Sequence, residues 1–164
     1  MFSINDTILY GSHGICRITD ITKEPFDGSK GDYYILNPIQ NPTSTIYVPV
    51  GNEKLTSKMR SILSEEDILN ILKNMPDAET WIENKNDRAA HFRSILNSGN
   101  RSDILSLIKT LYNHREELKV VGKKLHAADE AAFREAEKVI YDEFALVLGI
   151  KREQVIPFII EHMN

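Results

Sequence analysis

The hydrophobic pattern of the chain changes near residue 63, and this change restricts the folds that it can adopt. Within residues 6–62, short runs alternate apolar with polar side chains, and glycine and proline turns separate them. From Ser64 onward, apolar residues recur every three to four positions, as they do in amphipathic helices. The sequence therefore predicts an α+β protein with two domains, residues 1–63 and residues 64–164.

Five short strands are expected in the first domain. A hairpin is predicted by residues 7–10, a turn with Gly11 and Gly14, and the alternating residues 15–21. Further strands are predicted at residues 33–36, 45–50 and 59–63, with turns at residues 25–31 and 41–42. Because no helix intervenes, the pattern indicates a small antiparallel half-barrel of the Tudor or SH3 kind. Such a module is close to the lower size limit for independent stability.

The fourth predicted strand has the properties of a sheet edge. Pro49 has no backbone N–H, so the strand must lie at an edge or finish pairing there. Residues 44–48 carry no charge, although free edges usually carry lysine or proline. An uncharged edge indicates one that is covered, by a partner strand or by the protein's own chain. The sequence favours a partner.

Five helices are expected in the second domain. Ser64 and the acids that follow it predict an N-terminal cap, and Ile68, Leu69, Ile71 and Leu72 predict one apolar stripe. A second helix is predicted at residues 77–97 with a stop at Ser98-Gly99, and a third at residues 102–122, where Leu111, Tyr112 and Arg115 follow three-to-four spacing. A fourth is predicted at residues 127–148, and the last begins at about Glu153, so that Pro157 falls in its first turn.

The charge is segregated along the chain. The overall formal charge is -4, but residues 85–126 carry +5, whereas residues 64–84 carry -5 and residues 127–164 carry -4. Trp81, the only tryptophan, opens the basic block. At helical spacing, Trp81 shares one face with Lys85, Arg88 and Phe92. An indole beside cations can contact a polyanion or pack in a protein core, and a basic block is also common on an ordinary helix surface. A nucleic-acid contact and a purely structural role therefore both stay open.

Several classes of chemistry are disfavoured. A single cysteine, Cys16, excludes an internal disulfide and lies in an alternating run, where a buried thiol is expected. The five histidines lack the spacing of a zinc site, and neither a phosphate loop nor a nucleophile elbow is present. Without a signal peptide or an apolar run near the ~20 residues of a membrane helix, a cytoplasmic binding protein without cofactor, metal or membrane partner is predicted.

The chain resembles the CarD/CdnL family of bacterial transcription regulators, whose barrel is shared with the polymerase-interacting domain of transcription-repair coupling factor. Nearly the whole chain takes part in the resemblance, and the order and spacing of the motifs carry it. The matching residues are 6–10, His13 and Gly14, 33–36, Val48 and Pro49, Met59 and Arg60, Trp81, Arg88, Ser98 and Gly99, Leu111, and 143–148.

The resemblance implies a monomeric, non-enzymatic two-domain clamp. Its barrel would dock by strand pairing on the lobe of the RNA polymerase β subunit, and its helical domain would contact promoter DNA and stabilise the open complex. A tryptophan would act as a wedge in the minor groove, with cations holding phosphates without reading sequence. The implied DNA-binding residues are Trp81, Lys85, Arg88, Arg93, Lys123 and Lys124. The implied polymerase-binding residues are Lys23, Glu24, Ile46, Tyr47, Val48 and Pro49.

The chain departs from the family pattern at three places. The family tryptophan stands three residues before the arginine that matches Arg88, a position that Lys85 occupies here, so Trp81 lies one helical turn earlier. Glu24 and Tyr47 replace frequent arginines, which alters the charge at the polymerase-binding edge, and Gly11 replaces a usual proline. Two other functions stay open: an adaptor that joins proteins without touching DNA, and an RNA-binding or ribosome-associated module.

Overall fold

The computed structural model describes residues 2–23 and 31–162. The chain forms two compact units, Met1–Ile62 and Leu63–Asn164. The predicted turn at residues 25–31 falls largely outside the described residues, and Glu24 lies outside them as well. None of the described helices is both long enough and apolar enough to cross a membrane.

The first unit is built on one antiparallel sheet. Its described strands follow the order β4-β3-β2-β1-β5, so the sheet is open and has two edges. The strands are β1 (Thr7–Tyr10), β2 (Ile15–Thr22), β3 (Tyr33–Pro38), β4 (Ile46–Pro49) and β5 (Met59–Ser61). This arrangement confirms the predicted α+β class and the five-stranded half-barrel. It also confirms that the fourth strand is an edge.

A glycine turn connects β1 to β2. Residues Gly11–His13 form one turn of 3-10 helix, and both Gly11 and Gly14 have positive φ angles, of 48° and 79°. Side chains larger than hydrogen are strained in this conformation, so the two glycines permit the tight connection. The pairing of β2 with β3 then shifts register between Ile18 and Asp20, a β-bulge that bends the longest strand.

The core of the sheet unit is apolar. Ile18, Leu36, Val48 and Cys16 are fully buried in one cluster, which Tyr10, Tyr34 and Met59 complete. The predicted burial of the thiol is confirmed. Because the thiolate would lose its hydration there, burial raises the pKa of Cys16 to about 11. This thiol is therefore protonated and unreactive at neutral pH.

One short helix in the sheet unit was not predicted. Helix α1 (Glu53–Thr56) lies between β4 and β5, and the Asn52 side chain caps it by accepting a hydrogen bond from the Leu55 N–H at 3.1 Å. It contains no buried residue, so no apolar stripe indicates it in the sequence.

The second unit contains the five predicted helices among its described residues. Ser64 caps the first through a capping box, because its side chain accepts from the Asp67 N–H while Asp67 accepts from the Ser64 N–H. These bonds hold the pKa of Asp67 below its usual value. Gly99 and Gly149 end two of the helices with positive φ angles. The helices are α2 (Glu65–Lys73), α3 (Lys85–Ser98), α4 (Arg101–Val120), α5 (Ala127–Leu148) and α6 (Val155–His162), with Pro157 in the first turn of α6.

The prediction that a helix begins at Asp77 and contains Trp81 is wrong. Helix α3 begins at Lys85, because the Asn84 side chain caps it by accepting hydrogen bonds from the N–H groups of Asn86 and Asp87, both at 3.0 Å. Residues 75–83 contain no helix. Trp81 therefore does not share a helical face with Lys85 and Phe92.

Helix α5 joins the neighbouring helices through two buried ion pairs. Asp129 accepts two hydrogen bonds from Arg88 of α3, each at 2.9 Å. Glu143 accepts two from Arg101 of α4, each at 2.7 Å, and a further one from the Leu63 N–H at 3.0 Å. All four charged side chains are almost fully buried. Paired, planar contacts of this kind fix the orientation of helices as well as their separation.

Candidate functional site

The predicted polymerase-binding residues lie mainly on β4. Its side chains alternate, so that Val48 is fully buried and Ile46 packs against the core cluster, whereas Tyr47 is 44% exposed. Lys23 follows the end of β2 and is exposed. Because Val48 faces inward, only its backbone is available to a partner, and Tyr47 is the most exposed side chain of the strand.

The two edges of the sheet differ in length and charge. Strand β4 has four residues and no charged side chain, whereas β5 has three and carries the exposed Arg60. Charge and short length are the usual protection of an edge against unwanted pairing. Strand β5 has both of these protections, whereas β4 has only Pro49 at its end, so β4 is the edge better suited to accept an added strand.

Trp81 lies in an aromatic and cationic cluster of the helical unit. Its ring stacks on the His114 ring, with 3.6 Å between centroids and 9° between planes. The Arg88 guanidinium carbon lies over the indole at 4.7 Å, and Phe92 meets it edge-on at 6.0 Å. The indole is half-buried. Part of it is accessible, but its orientation is fixed by neighbours rather than by a helix.

Helix α4 holds the segment that precedes Trp81. The Glu79 N–H donates to Thr110 Oγ1 at 2.9 Å, Ser106 Oγ donates to the Asp77 carbonyl, and Lys109 Nζ donates to the Pro76 carbonyl at 2.8 Å. These bonds satisfy backbone groups that a helix would satisfy internally, so the segment can remain non-helical.

Arg88 does not have the exposed position that the sequence indicated. Its guanidinium is 6% exposed, and it donates to both carboxylate oxygens of Asp129 and to the carbonyls of Ile82 and Glu83. With these donors engaged inside the unit, the side chain fixes the Trp81 segment against α5. Its geometry fits a structural role better than a phosphate contact.

The other predicted DNA-binding cations are exposed. Of the nine basic residues in 85–126, five have partners within the unit, namely Arg88, Arg101, Lys109, Arg115 and Lys119. No ion pair is seen within the described residues for the remaining four, which are Lys85, Arg93, Lys123 and Lys124. The first two lie on α3 and the last two follow α4. The basic block therefore offers fewer cations to a ligand than its composition suggests.

Two features of this region were missed by sequence reasoning. Asn84 and Asn100 are the N-caps of α3 and α4, and each stands three residues before an aspartate, Asp87 and Asp103. Asparagine at this spacing is a helix-start signal, and it could have placed both boundaries. The stacking of His114 on Trp81 joins positions 33 residues apart, and no local pattern indicates it. The described residues contain no group of three or more His, Cys, Asp or Glu able to hold a metal.

An open antiparallel sheet with one uncharged edge defines a class of protein: a small strand-pairing interaction module, here followed by a helical unit. Residues 2–63 match the family model described as the CarD-like/TRCF RID domain, so this region of the chain is similar to a CarD-like domain. The resemblance seen in the sequence is thus confirmed for the first unit, and the match indicates an RNA polymerase-interacting protein related to transcription. No curated protein matches the chain significantly.

Proposed function

We propose that the protein is a cytoplasmic, bacterial transcription regulator that binds the lobe of the RNA polymerase β subunit and stabilises the open promoter complex. The CarD-like match over residues 2–63 is the observation that carries the first part. Strand β4 supplies the physical means, because an edge strand presents a row of backbone donors and acceptors to an added strand.

The side chains of the β4 region set the preference for a partner. The exposed Tyr47 offers an aromatic surface, and Lys23 offers a cation at the end of the neighbouring strand. Main-chain pairing supplies affinity in such docking, and side chains supply specificity. Tyr47 therefore tunes the interaction, while the backbone from Ile46 to Pro49 forms it.

The helical unit supports the DNA-binding part of the proposal. Lys85, Arg93, Lys123 and Lys124 are exposed and would hold phosphates without reading sequence. Trp81 presents part of its indole from a fixed position and would fill a distorted minor groove near the upstream edge of the melted region. Arg88 contributes by holding Trp81 in place.

Binding of the full chain to the isolated β-subunit lobe tests the polymerase contact. We expect retention at micromolar concentration, and a Tyr47→Asp variant should weaken it by roughly tenfold because the new charge is desolvated beside the added strand. An Arg60→Asp variant on β5, the opposite edge, is the matched control and should bind as the wild type does. Absence of retention of the unmodified protein would refute the polymerase contact.

An adaptor that joins proteins without touching DNA is the second candidate. The burial of Arg88 and the packing of Trp81 on His114 favour it, since both reduce the surface available to a polyanion. The salt dependence of binding to promoter DNA separates the two functions. Contact with four phosphates predicts a slope of log affinity against log salt of about -3.6, whereas an adaptor shows no measurable DNA binding.

A further inference from the structure

The turn after α4 exposes two apolar side chains that the fold does not use. Val120 is 86% exposed and Val121 is 65% exposed, and Val120 is the most exposed large apolar residue among the described ones. Valine also has a low helix propensity, so neither residue is favoured by its place at the helix end. Their presence there is not explained by packing or by local structure.

The backbone holds this pair in a fixed position. The Lys123 N–H donates to the Leu118 carbonyl at 2.8 Å, and the Gly122 N–H donates to the Lys119 carbonyl at 3.0 Å. These two bonds, with the positive φ of 71° at Gly122, form a Schellman motif. The β-branched side chains are restricted at χ1 as well, so little conformational entropy would be lost when the pair enters a binding partner.

Lysines flank the valines in the sequence, whereas Glu116 and Glu117 lie one helical turn before Val120. Lys119 precedes them, and the exposed Lys123 and Lys124 follow directly after Gly122. Residues 118–126 contain no acid. Lys119 is paired with Glu116 at 3.0 Å, which leaves Lys123 and Lys124 as the exposed cations on the far side of the turn.

Val121 lies at the end of the side of α4 that carries His114, whereas Val120 is turned from that side by about a third of a turn. His114, on which Trp81 stacks, precedes Val121 by seven residues, which is two helical turns and about 10 Å along the axis. Glu117 lies between them on that side; it is exposed and 3.7 Å from His114. Helix α4 thus carries the His114 ring that stacks on the indole and, two turns further on, Val121 on the same side, with Lys123 and Lys124 beyond the valines.

Size and charge indicate the kind of partner. Two valine side chains are far smaller than the roughly 800 Å² that each partner contributes to a standard protein interface. An apolar pair between lysines instead matches the wedges that enter a partly unstacked base step while cations hold the adjacent phosphates. Membrane-binding segments rely on larger apolar side chains spread over an amphipathic helix face, which this turn lacks.

We propose that Val120 and Val121 form a second apolar wedge, which enters DNA at an unstacked step while Lys123 and Lys124 contact the flanking phosphates. The inference rests on the proposed function and adds to it a contact that is separate from Trp81. It assigns the valine pair to the recognition of distorted DNA and the lysine pair to general affinity.

The test compares binding of the full chain to a DNA duplex that contains an unpaired bubble and to the same duplex fully paired. The wild type should prefer the bubble, and 2-aminopurine at the fork should brighten as it unstacks. A Val120→Thr/Val121→Thr variant keeps the side-chain shape but adds hydroxyl groups, and it should lose roughly 3- to 10-fold of that preference. A Lys123→Ala/Lys124→Ala variant should weaken binding to both duplexes and reduce the salt slope by about 2.

Ile160→Thr is the matched control, because Ile160 is a β-branched residue 66% exposed on α6. It should leave the bubble preference unchanged. Wild-type preference and 2-aminopurine signal in the valine variant would overturn the wedge, as would valine-dependent binding to phosphatidylglycerol vesicles without any bubble preference.

The lobe-binding experiment separates the two proposals: valine-dependent bubble preference without lobe retention supports the wedge and refutes the polymerase contact. Retention on the lobe together with a wild-type bubble preference in the valine variant supports the polymerase contact and refutes the wedge.

Discussion

The two units bury different kinds of side chain. Within the described residues, the core of the sheet unit is apolar, whereas all four buried charged side chains, Arg88, Arg101, Asp129 and Glu143, belong to the helical unit. The sheet aligns its strands by backbone hydrogen bonds, which leaves side chains free to be apolar. Helices satisfy their backbones internally, so side chains must set their relative orientation.

This difference shows where each unit can carry function. In the sheet unit, the proposed function would use the backbone of β4, an edge strand, for pairing, with side chains such as Tyr47 setting specificity. In the helical unit, some basic side chains form buried ion pairs and others are exposed at the surface. Only their burial distinguishes the two groups. Arg88 and Lys85 are three residues apart, yet one is buried in an ion pair and the other is exposed. Charge counted along the sequence therefore overstates the charge available to DNA.

The largest expected effect comes from removing one buried charge of the helical unit. A Glu143→Gln change leaves the buried Arg101 guanidinium without its carboxylate, and we expect the helical unit to lose about 3–5 kcal/mol of stability. Urea unfolding followed by Trp81 fluorescence measures the loss, since the indole belongs to that unit. The same change at the exposed Glu117 is the control and should alter stability by less than about 0.5 kcal/mol. A loss below about 1 kcal/mol for Glu143→Gln would refute the structural importance of the pair.

A smaller effect should separate the two roles of arginine and lysine in α3. Arg88→Lys keeps the charge but cannot reproduce the two-oxygen contact with Asp129, so we expect a loss of about 2 kcal/mol together with a change in Trp81 fluorescence. Lys85→Ala should leave stability nearly unchanged and lower the salt slope of DNA binding by about 0.9. If Arg88→Ala instead lowered the salt slope by about 0.9 without loss of stability, Arg88 would be a phosphate contact.

The sequence predicted the sheet unit well because its signals are local. Alternation located each described strand, Pro49 identified the edge, and the glycines marked the first turn. The caps and stops of four helices were also local, including the capping box at Ser64 and the position of Pro157. Tyr112 belongs to the residues at three-to-four spacing that predicted α4, and its side chain is 49% exposed.

The candidate DNA surface was harder to predict because it depends on contacts between distant residues. The helical pattern around Trp81 appeared continuous, yet residues 76–79 are not helical and are held by hydrogen bonds from α4. The burial of Arg88 depends on Asp129, 41 residues away. Neither partner can be identified from spacing alone, whereas the exposure of Lys123 and Lys124 follows from their place beyond the helix end.

The smallest expected effect is a pH dependence of stability, which differs between the cores of the two units. Burial raises the pKa of Cys16 from an ordinary value of 9.0 to about 11, so above pH 9 the unfolded chain releases a proton that the folded sheet unit retains. Stability is therefore complete below pH 9 and decreases as the pH rises towards 11, by about 1 kcal/mol between pH 8 and pH 10.

In the helical unit, burial and a hydrogen bond to Glu137 raise the pKa of Tyr141 above its ordinary 10.0. The loss of stability linked to Tyr141 therefore begins near pH 10, one pH unit above the loss linked to Cys16. Urea unfolding at pH 8, pH 10 and pH 11, followed by the methyl NMR signals of Ile8 and Ile18 for the sheet and by Trp81 fluorescence for the helices, measures both losses of stability. A Cys16→Ala variant is less stable at every pH because of the cavity, but it should lack the decrease that begins at pH 9. An unchanged decrease in this variant would assign the alkaline sensitivity to Tyr10, whose pKa burial also raises, rather than to the thiol.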